Sequence, residues 1–409
     1  MPPDSLDLRR APGTVIGVVG GGWRAHVSPW GAVVPADGSP VLDWWVAADD
    51  RWHTPAEEST CRQRRIGGTP VVETALRVPG GDAVQRVYAV GHGGGLTVVE
   101  IENRSASPFA VVLSRPDLLT TRPPVALPII GVDVPPDSVS FPVAHRTTIR
   151  LALAHDGRGA GRLPAGLPTP DEVVRGWTLQ TATSTRLLLP DASSSRLAEL
   201  VTARRADLLL DGTASPDDDP AAFLVGYAER GRLGPLDDGG AAHPELVAAV
   251  AERLAKRSRR ASALSWTVDA ALIASERALA GVGETCAASD VRGVRGRLPS
   301  PDPTPVEPPD DVFALAWVER RVALDRLALV DLFPAPFPDE WLGQSVEGYG
   351  LPVVGGTVGV ALRWHGERPA LLWDTDVTLP MRCSGLDPAW STASRSGEAL
   401  LSPVRRAPR

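Results

Sequence analysis

A chain of 409 residues is long enough for two or three domains and a large buried core. Its 43% hydrophobic and 22% charged residues are ordinary for a globular protein, and a net charge of -7 argues against nucleic acid as the main partner, because neutralising phosphates needs a basic face. No run approaches the length needed to cross a bilayer, so no membrane partner is expected.

The N-terminal MPPDSLDLRR has no apolar core of signal-peptide length. Cys61, Cys286 and Cys383 form no CxxC pair, as ordinary buried thiols of a reducing compartment would be, and a cytoplasmic location follows. Residues 13 to about 155 read as β structure. Val71–Val78 and Val84–Val90 are short, β-branched runs around the turn Pro79-Gly80-Gly81-Asp82. Leu96–Asn103 and Phe109–Ser114 read as a further pair joined by residues 104–108, and Val139–Leu153 adds one or two strands. Many short strands with polar turns favour an antiparallel β-sandwich, set as a domain over 1–160.

A Gly/Pro-rich join, Asp156 to Pro170, leads into a helical domain over 171–334. Five helices are expected there. Ser195–Leu210 places Leu197, Leu200, Val201 and Leu208 on one face, and Asp219-Pro220 caps a second helix with Phe223, Leu224 and Tyr227. Pro244 opens a third, Ala263–Ala280 makes a fourth, and Asp311–Leu332 makes a fifth. Residues 281–310 are proline-dense and aperiodic, which predicts a linker. A C-terminal β segment over 335–402 contains a hairpin, Thr357–Trp364 with Ala370–Asp374. The fold class is therefore α+β and multidomain.

Several motifs are set aside on their context. Gly20-Gly21-Gly22-Trp23-Arg24-Ala25 has dinucleotide-fingerprint spacing, but Pro29 and Gly31 forbid the helix that must follow. His92-Gly93-Gly94-Gly95 lacks a partnering G-x-S-x-G elbow. The histidines are scattered without zinc spacing, and no cofactor is expected. The basic runs Arg62–Arg65 and Lys256–Arg260 read as solvated faces or helix ends. Lys256 is the only lysine, which removes most options for a catalytic amine.

Trp23, Trp30, Trp44, Trp45 and Trp52 crowd one short stretch, and indole faces suit the flat C–H faces of sugars as well as a protein core. Adjacent residues on a strand face opposite ways, so one of Trp44 and Trp45 is expected at the surface. Trp341 joins these two as a candidate ligand contact. Hydrolysis of a glycoside needs one protonated and one ionised carboxyl group. Glu229, Asp269, Glu276, Glu340, Glu347 and Asp374 are available, each read singly as a surface or capping group. Glu340 and Glu347 are the expected catalytic pair because they flank the aromatic segment PDEWLGQSVEGYGLP.

The ordered series TVIGVVGGGWRAH, HVSPWGAVVPADGS, LDWWVAADDRW and RQRRIGGTPVVETALRVPGGDAVQRVYAV resembles the N-terminal β-sandwich of bacterial family 15 glycosidases, the glucoamylase and trehalase-like enzymes. FPDEWLGQSVEGYGLP, GVALRWHGERPALLWD, GLDPAWS and GEALL resemble a segment of actinobacterial six-hairpin glycosidase-like proteins. The resemblance implies a sandwich followed by a toroid of twelve helices with catalytic carboxylates at one end. Twelve helices need on the order of 200 residues, more than 171–334 supplies. A shortened toroid-like domain is expected, on a carbohydrate-handling protein that binds sugar without cleaving it or hydrolyses α-glucosides weakly. The alternative is an interaction or scaffold protein that has lost sugar contact. A carbohydrate and a second copy of the chain are the partners these readings leave open.

Overall fold

A computed structural model of the protein describes residues 13–126, 131–234 and 243–404, without the side chains of 191–195. The N-terminal MPPDSLDLRR and residues 405–409 lie outside the described residues. The fold is mixed α+β, and the chain divides into two compact units after Leu179. No helix of the described residues is long and apolar enough to cross a membrane.

The first unit is built on strands β1 (Thr14–Gly17), β2 (Arg24–Val27), β3 (Val33–Pro35), β4 (Trp44–Ala47), β5 (Trp52–His53), β6 (Arg62–Arg65) and β7 (Val72–Val78). It continues through β8 (Gly81–Val90), β9 (Leu96–Asn103), β10 (Phe109–Leu113), β11 (Leu119–Thr120), β12 (Val139–Val143), β13 (Thr148–Ala154) and β14 (Gly161–Arg162). They form three sheets, ordered β1-β2-β3, β12-β10-β4-β5 and β14-β11-β13-β9-β8-β7-β6. Every named pair is antiparallel except β11 with β14. One hydrophobic cluster takes Ile16 and Val27 from the first sheet, Trp44, Val111 and Phe141 from the second, and Leu76, Ile101 and Leu151 from the third. Burial of such side chains stabilises by roughly 1.5–3 kcal/mol each.

The β7–β8 turn falls where the sequence places it, with Gly80 at φ 73° between the paired Val78 and Gly81. The triple glycine lies between β1 and β2, with no helix after it. Strands β9 and β10, expected to pair, belong to different sheets. The Asn103 side chain makes the difference. Its Oδ1 accepts the Ser105 N–H at 2.8 Å and its Nδ2 donates to Ser107 and Val143 carbonyls at 3.0 Å, turning a corner instead of closing a hairpin. The basic β6 is tied down by acids: Arg62 reaches Asp82 at 3.1 Å and Arg64 reaches Glu73 at 2.7 Å.

Asp43 is half-buried next to β4. Its N–H donates to Ser114 Oγ at 2.8 Å and its carboxylate accepts the Trp44 N–H at 2.9 Å. Desolvation outweighs that hydrogen bond and pushes its pKa up to about 6. The folded protein thus keeps a proton that the unfolded chain releases near pH 3.8, so stability falls as pH rises from about 4 to about 6. Asp43→Asn should remove this slope and raise stability at pH 7.5 by about 3 kcal/mol, read as a higher denaturation midpoint than wild type at pH 7.5 and not at pH 4.

Helix α1 (Pro170–Thr181) runs across the division between units. Its start is a capping box: Thr169 Oγ1 accepts the Glu172 N–H at 3.3 Å, and Glu172 accepts the Thr169 N–H at 2.7 Å. The second unit then contains β15 (Arg186–Leu188), α2 (Asp191–Asp211), α3 (Pro220–Arg232), α4 (Pro244–Ser258), α5 (Trp266–Gly281), α6 (Thr285–Arg295) and α7 (Phe313–Val322). Asp219 caps α3 by accepting the Ala222 N–H at 2.9 Å. Helix α5 packs against α3, α4 and α6 around Leu224, Val250, Leu254 and Leu272. Lys256, in the last turn of α4, is exposed and pairs with Glu252 at 2.7 Å.

Two expectations change here. Residues 281–310, read as a linker, contain α6, whose Ala288, Val291 and Arg295 are buried at helical spacing. The helix expected over Asp311–Leu332 stops at Val322, and the chain continues as β16 (Ala323–Asp325) and β17 (Val330–Leu332), an antiparallel pair. Ala323 leaves the helix at φ -142°, and Leu327 is exposed in the intervening turn.

The chain closes with β18 (Val346–Val353), β19 (Gly356–His365), β20 (Arg368–Thr375), β21 (Met381–Cys383), β22 (Asp387–Thr392) and β23 (Ser396–Leu400). Sheets β15-β18-β19-β20-β23 and β16-β17-β21-β22 share a core that includes Trp341, Leu351, Leu362, Leu371 and Met381. The expected β19–β20 hairpin is present, with Gly366 at φ 64° in its turn.

Candidate functional site

The second unit holds a cavity of about 710 Å³, within the range of small-molecule sites. The last turn of α3, the face of α5, the middle of α7 and the β18–β19 turn enclose it. Ala270, Ala274 and Ala278 recur every four residues along α5 and all line it. Side chains four apart stack on one helix face, so three methyl groups in a row leave room that longer side chains would fill. Gly356 closes the opposite wall. A Cβ there would lie 2.1 Å from the Asp376 carboxylate, which accepts the Thr357 N–H at 2.7 Å.

A chain of ion pairs runs beneath this cavity. Arg205 Nε donates to Glu229 at 2.6 Å, Glu229 also takes Arg232, and Arg232 reaches Glu319 at 2.6 Å. Glu319 meets Arg277 at 3.4 Å, and Arg277 reaches Asp325 at 2.6 Å. Arg295 donates to the Asp325 carbonyl at 2.9 Å and to Asp269 at 2.8 Å. Arg320 adds a second contact to Asp269 at 2.8 Å, and Arg292 reaches Glu276 at 2.5 Å. Glu229, Arg232, Arg277, Glu319 and Arg320 line the cavity itself.

Burial would push the Glu229 carboxyl up, but Arg232 and Arg205 overcome it and hold the group well below the usual carboxylate range. Asp269 is likewise lowered, burial being outweighed by Arg295 and Arg320. Glu276 moves the other way: burial dominates Arg292 and raises it. Glu276 is not among the residues lining the cavity.

The residues singled out in the sequence fall elsewhere. Glu340 is exposed in a short turn at Asp339–Trp341, and Glu347 lies on β18, accepting the Tyr349 hydroxyl at 2.5 Å and Arg363 at 3.2 Å. Neither lines the cavity. The Tyr349 hydrogen bond lowers the Glu347 pKa, which suits an ionised group and not a proton donor. Trp44 and Trp45 are both buried, at 0% and 6% exposure, because β4 is covered on its two faces. The expectation that one would reach the surface is corrected accordingly. Trp341 is also buried, edge-on to Phe337 at 6.1 Å. All three indoles serve as core.

Glu229, Asp269 and Glu276, read singly as surface or capping groups, are instead buried at 3% exposure or less. Asp374 is exposed. Arg205, Arg232, Arg277, Arg295, Arg320 and Glu319 drew no notice in the sequence. The one local signal was Glu229 followed three positions later by Arg232, a spacing that pairs side chains on a helix.

No protein-family model matches the chain, and a search of curated proteins likewise finds no match. What defines the protein is its own architecture: an α+β chain whose helical unit carries an alanine-walled cavity over buried arginine–carboxylate pairs.

Proposed function

We propose that this is a carbohydrate-handling protein on a glycosidase-like scaffold that binds its ligand without hydrolysing it. The scaffold comprises an antiparallel β-sandwich, a shortened toroid-like helical domain and a C-terminal β segment. Seven helices among the described residues, against twelve in a complete toroid, support the shortening. The resemblance of the Gly20–Ala89 stretch to family 15 glycosidases motivates the sugar; of the three free cysteines, expected as buried thiols, Cys383 is buried, Cys61 half-buried and Cys286 exposed.

The observation that carries the reading is the state of the two carboxylates in the cavity. Glu229 and Glu319 are each held between arginines, and those at Glu229 keep it ionised, so it is no ready proton donor to a leaving group. The same groups can bond sugar hydroxyls, and the alanine wall can cover a C–H face.

Calorimetric titration with glucose, maltose and trehalose, run beside an assay for released reducing sugar, should show binding without release. Glu340→Gln and Glu347→Gln should leave binding unchanged, and the latter should alter stability by no more than about 0.5 kcal/mol. Sugar release that either substitution abolishes would overturn the proposal. Failure of every sugar to bind, with a dimer on sizing, would favour the interaction protein instead.

A further inference from the structure

We infer that the cavity takes an anionic sugar, one bearing a carboxylate or phosphate, with Arg232 as the anchor of the charged group. The inference rests on the sugar-binding proposal and adds the charge class of the ligand.

Three observations converge on it. First, four arginines, Arg230, Arg232, Arg277 and Arg320, line the cavity beside two carboxylates, Glu229 and Glu319. Cations held away from water favour a counter-anion, because the surroundings supply little solvation in its place.

Second, Arg232 itself is only partly used. Its Nη2 contacts both Glu229 and Glu319, while its buried Nε and Nη1 have no hydrogen-bond partner among the described residues. An N–H left unbonded in a buried position favours any acceptor that can reach it. The two carboxylates fix the guanidinium plane, so little side-chain freedom is lost when an acceptor arrives.

Third, the cavity offers a place for the rest of the ligand. Arg232 shares its lining with the alanines of α5, with Tyr227 and with Thr357. A ring lying on the alanine wall would leave its charged substituent to Arg232. Arginine recognises carboxylate and phosphate oxygens alike, so the two sources must be separated by experiment.

The test is calorimetric titration of the full chain at low ionic strength with glucose, glucuronate, glucose 6-phosphate and inorganic phosphate. One of the two anionic sugars should bind at least about tenfold more tightly than glucose, and raising the salt should weaken it, as expected of a charge contact. The preferred anion identifies the source. Arg232→Lys keeps a cation but removes the guanidinium, and should lower that affinity by about tenfold or more. Because Arg232 also supports the fold, Ala278→Trp provides an independent check. It fills the cavity without removing an ion-pair partner and should abolish binding while leaving the far-ultraviolet circular dichroism unchanged. Glucose binding as tightly as both anionic sugars would overturn the inference and leave the sugar proposal standing. Inorganic phosphate binding as tightly as glucose 6-phosphate, with no glucuronate or glucose bound, would keep the anion and sink the sugar. Binding of an anionic sugar that survives Ala278→Trp would overturn the location, and no binding of any of the four would overturn the inference, while maltose and trehalose decide the sugar proposal separately.

Discussion

Glu229→Ala should destabilise the helical unit by about 3–5 kcal/mol, the cost of leaving buried charge without its partner. Glu229 is 2% exposed and receives both Arg205 and Arg232, so truncation leaves Arg205 without its carboxylate and Arg232 with Glu319 alone. Arg205 also donates to the Thr181 and Thr185 carbonyls at 2.9 Å, which hold it in place and prevent it from swinging to water. Helical circular dichroism reads the second unit most directly, since α2 to α7 lie there. A shift in the denaturant midpoint worth less than about 1 kcal/mol would mean that the arginines find other partners or solvent. Glu229→Gln retains the shape and should fall between the two.

Trp44→Ala should cost about 3–5 kcal/mol in the first unit, in the range of large aromatic truncations. Trp44 is fully buried in the cluster that joins the three sheets, and its Nε1 donates to the Trp30 carbonyl at 2.9 Å. The surrounding backbone has little freedom to close the gap. Gly31, at φ 93°, lies so near that a Cβ there would stand 2.9 Å from Trp44 Nε1 and 2.2 Å from Gln85 Oε1. Near-ultraviolet circular dichroism and the denaturation midpoint would measure the loss. A stable Trp44→Ala protein that loses only sugar affinity would restore this indole as a ligand contact.

Regular strands were legible where residue type and turn agreed. Short β-branched runs along β7 and β8 and a Pro-Gly turn between them pointed to one hairpin. The pairing of β9 with β10 was misread because a corner and a hairpin have the same length; the Asn103 side chain decides between them. Helix α1 was overlooked although Thr169-Pro170-Asp171-Glu172 spells a capping box, since the Gly/Pro density before it suggested a join. The end of α7 was masked by apolar spacing that two three-residue strands can also satisfy.

The candidate site was less legible. Glu229, Asp269 and Glu276 stood out as carboxylates, but their burial depends on arginines distant in the chain. Asp269 meets Arg295 and Arg320 from two other helices, and no local pattern announces such a meeting. The cavity is a tertiary consequence of three alanines facing α3 and α7 and cannot be seen from α5 alone.

Lys256 stands exposed at the end of α4 in a chain with no second lysine. Its ε-amine therefore gives chemists a unique side-chain address. A dye coupled there would report from one known helix of the second unit, and a protease that cuts after lysine has this single recognition point in the whole polypeptide.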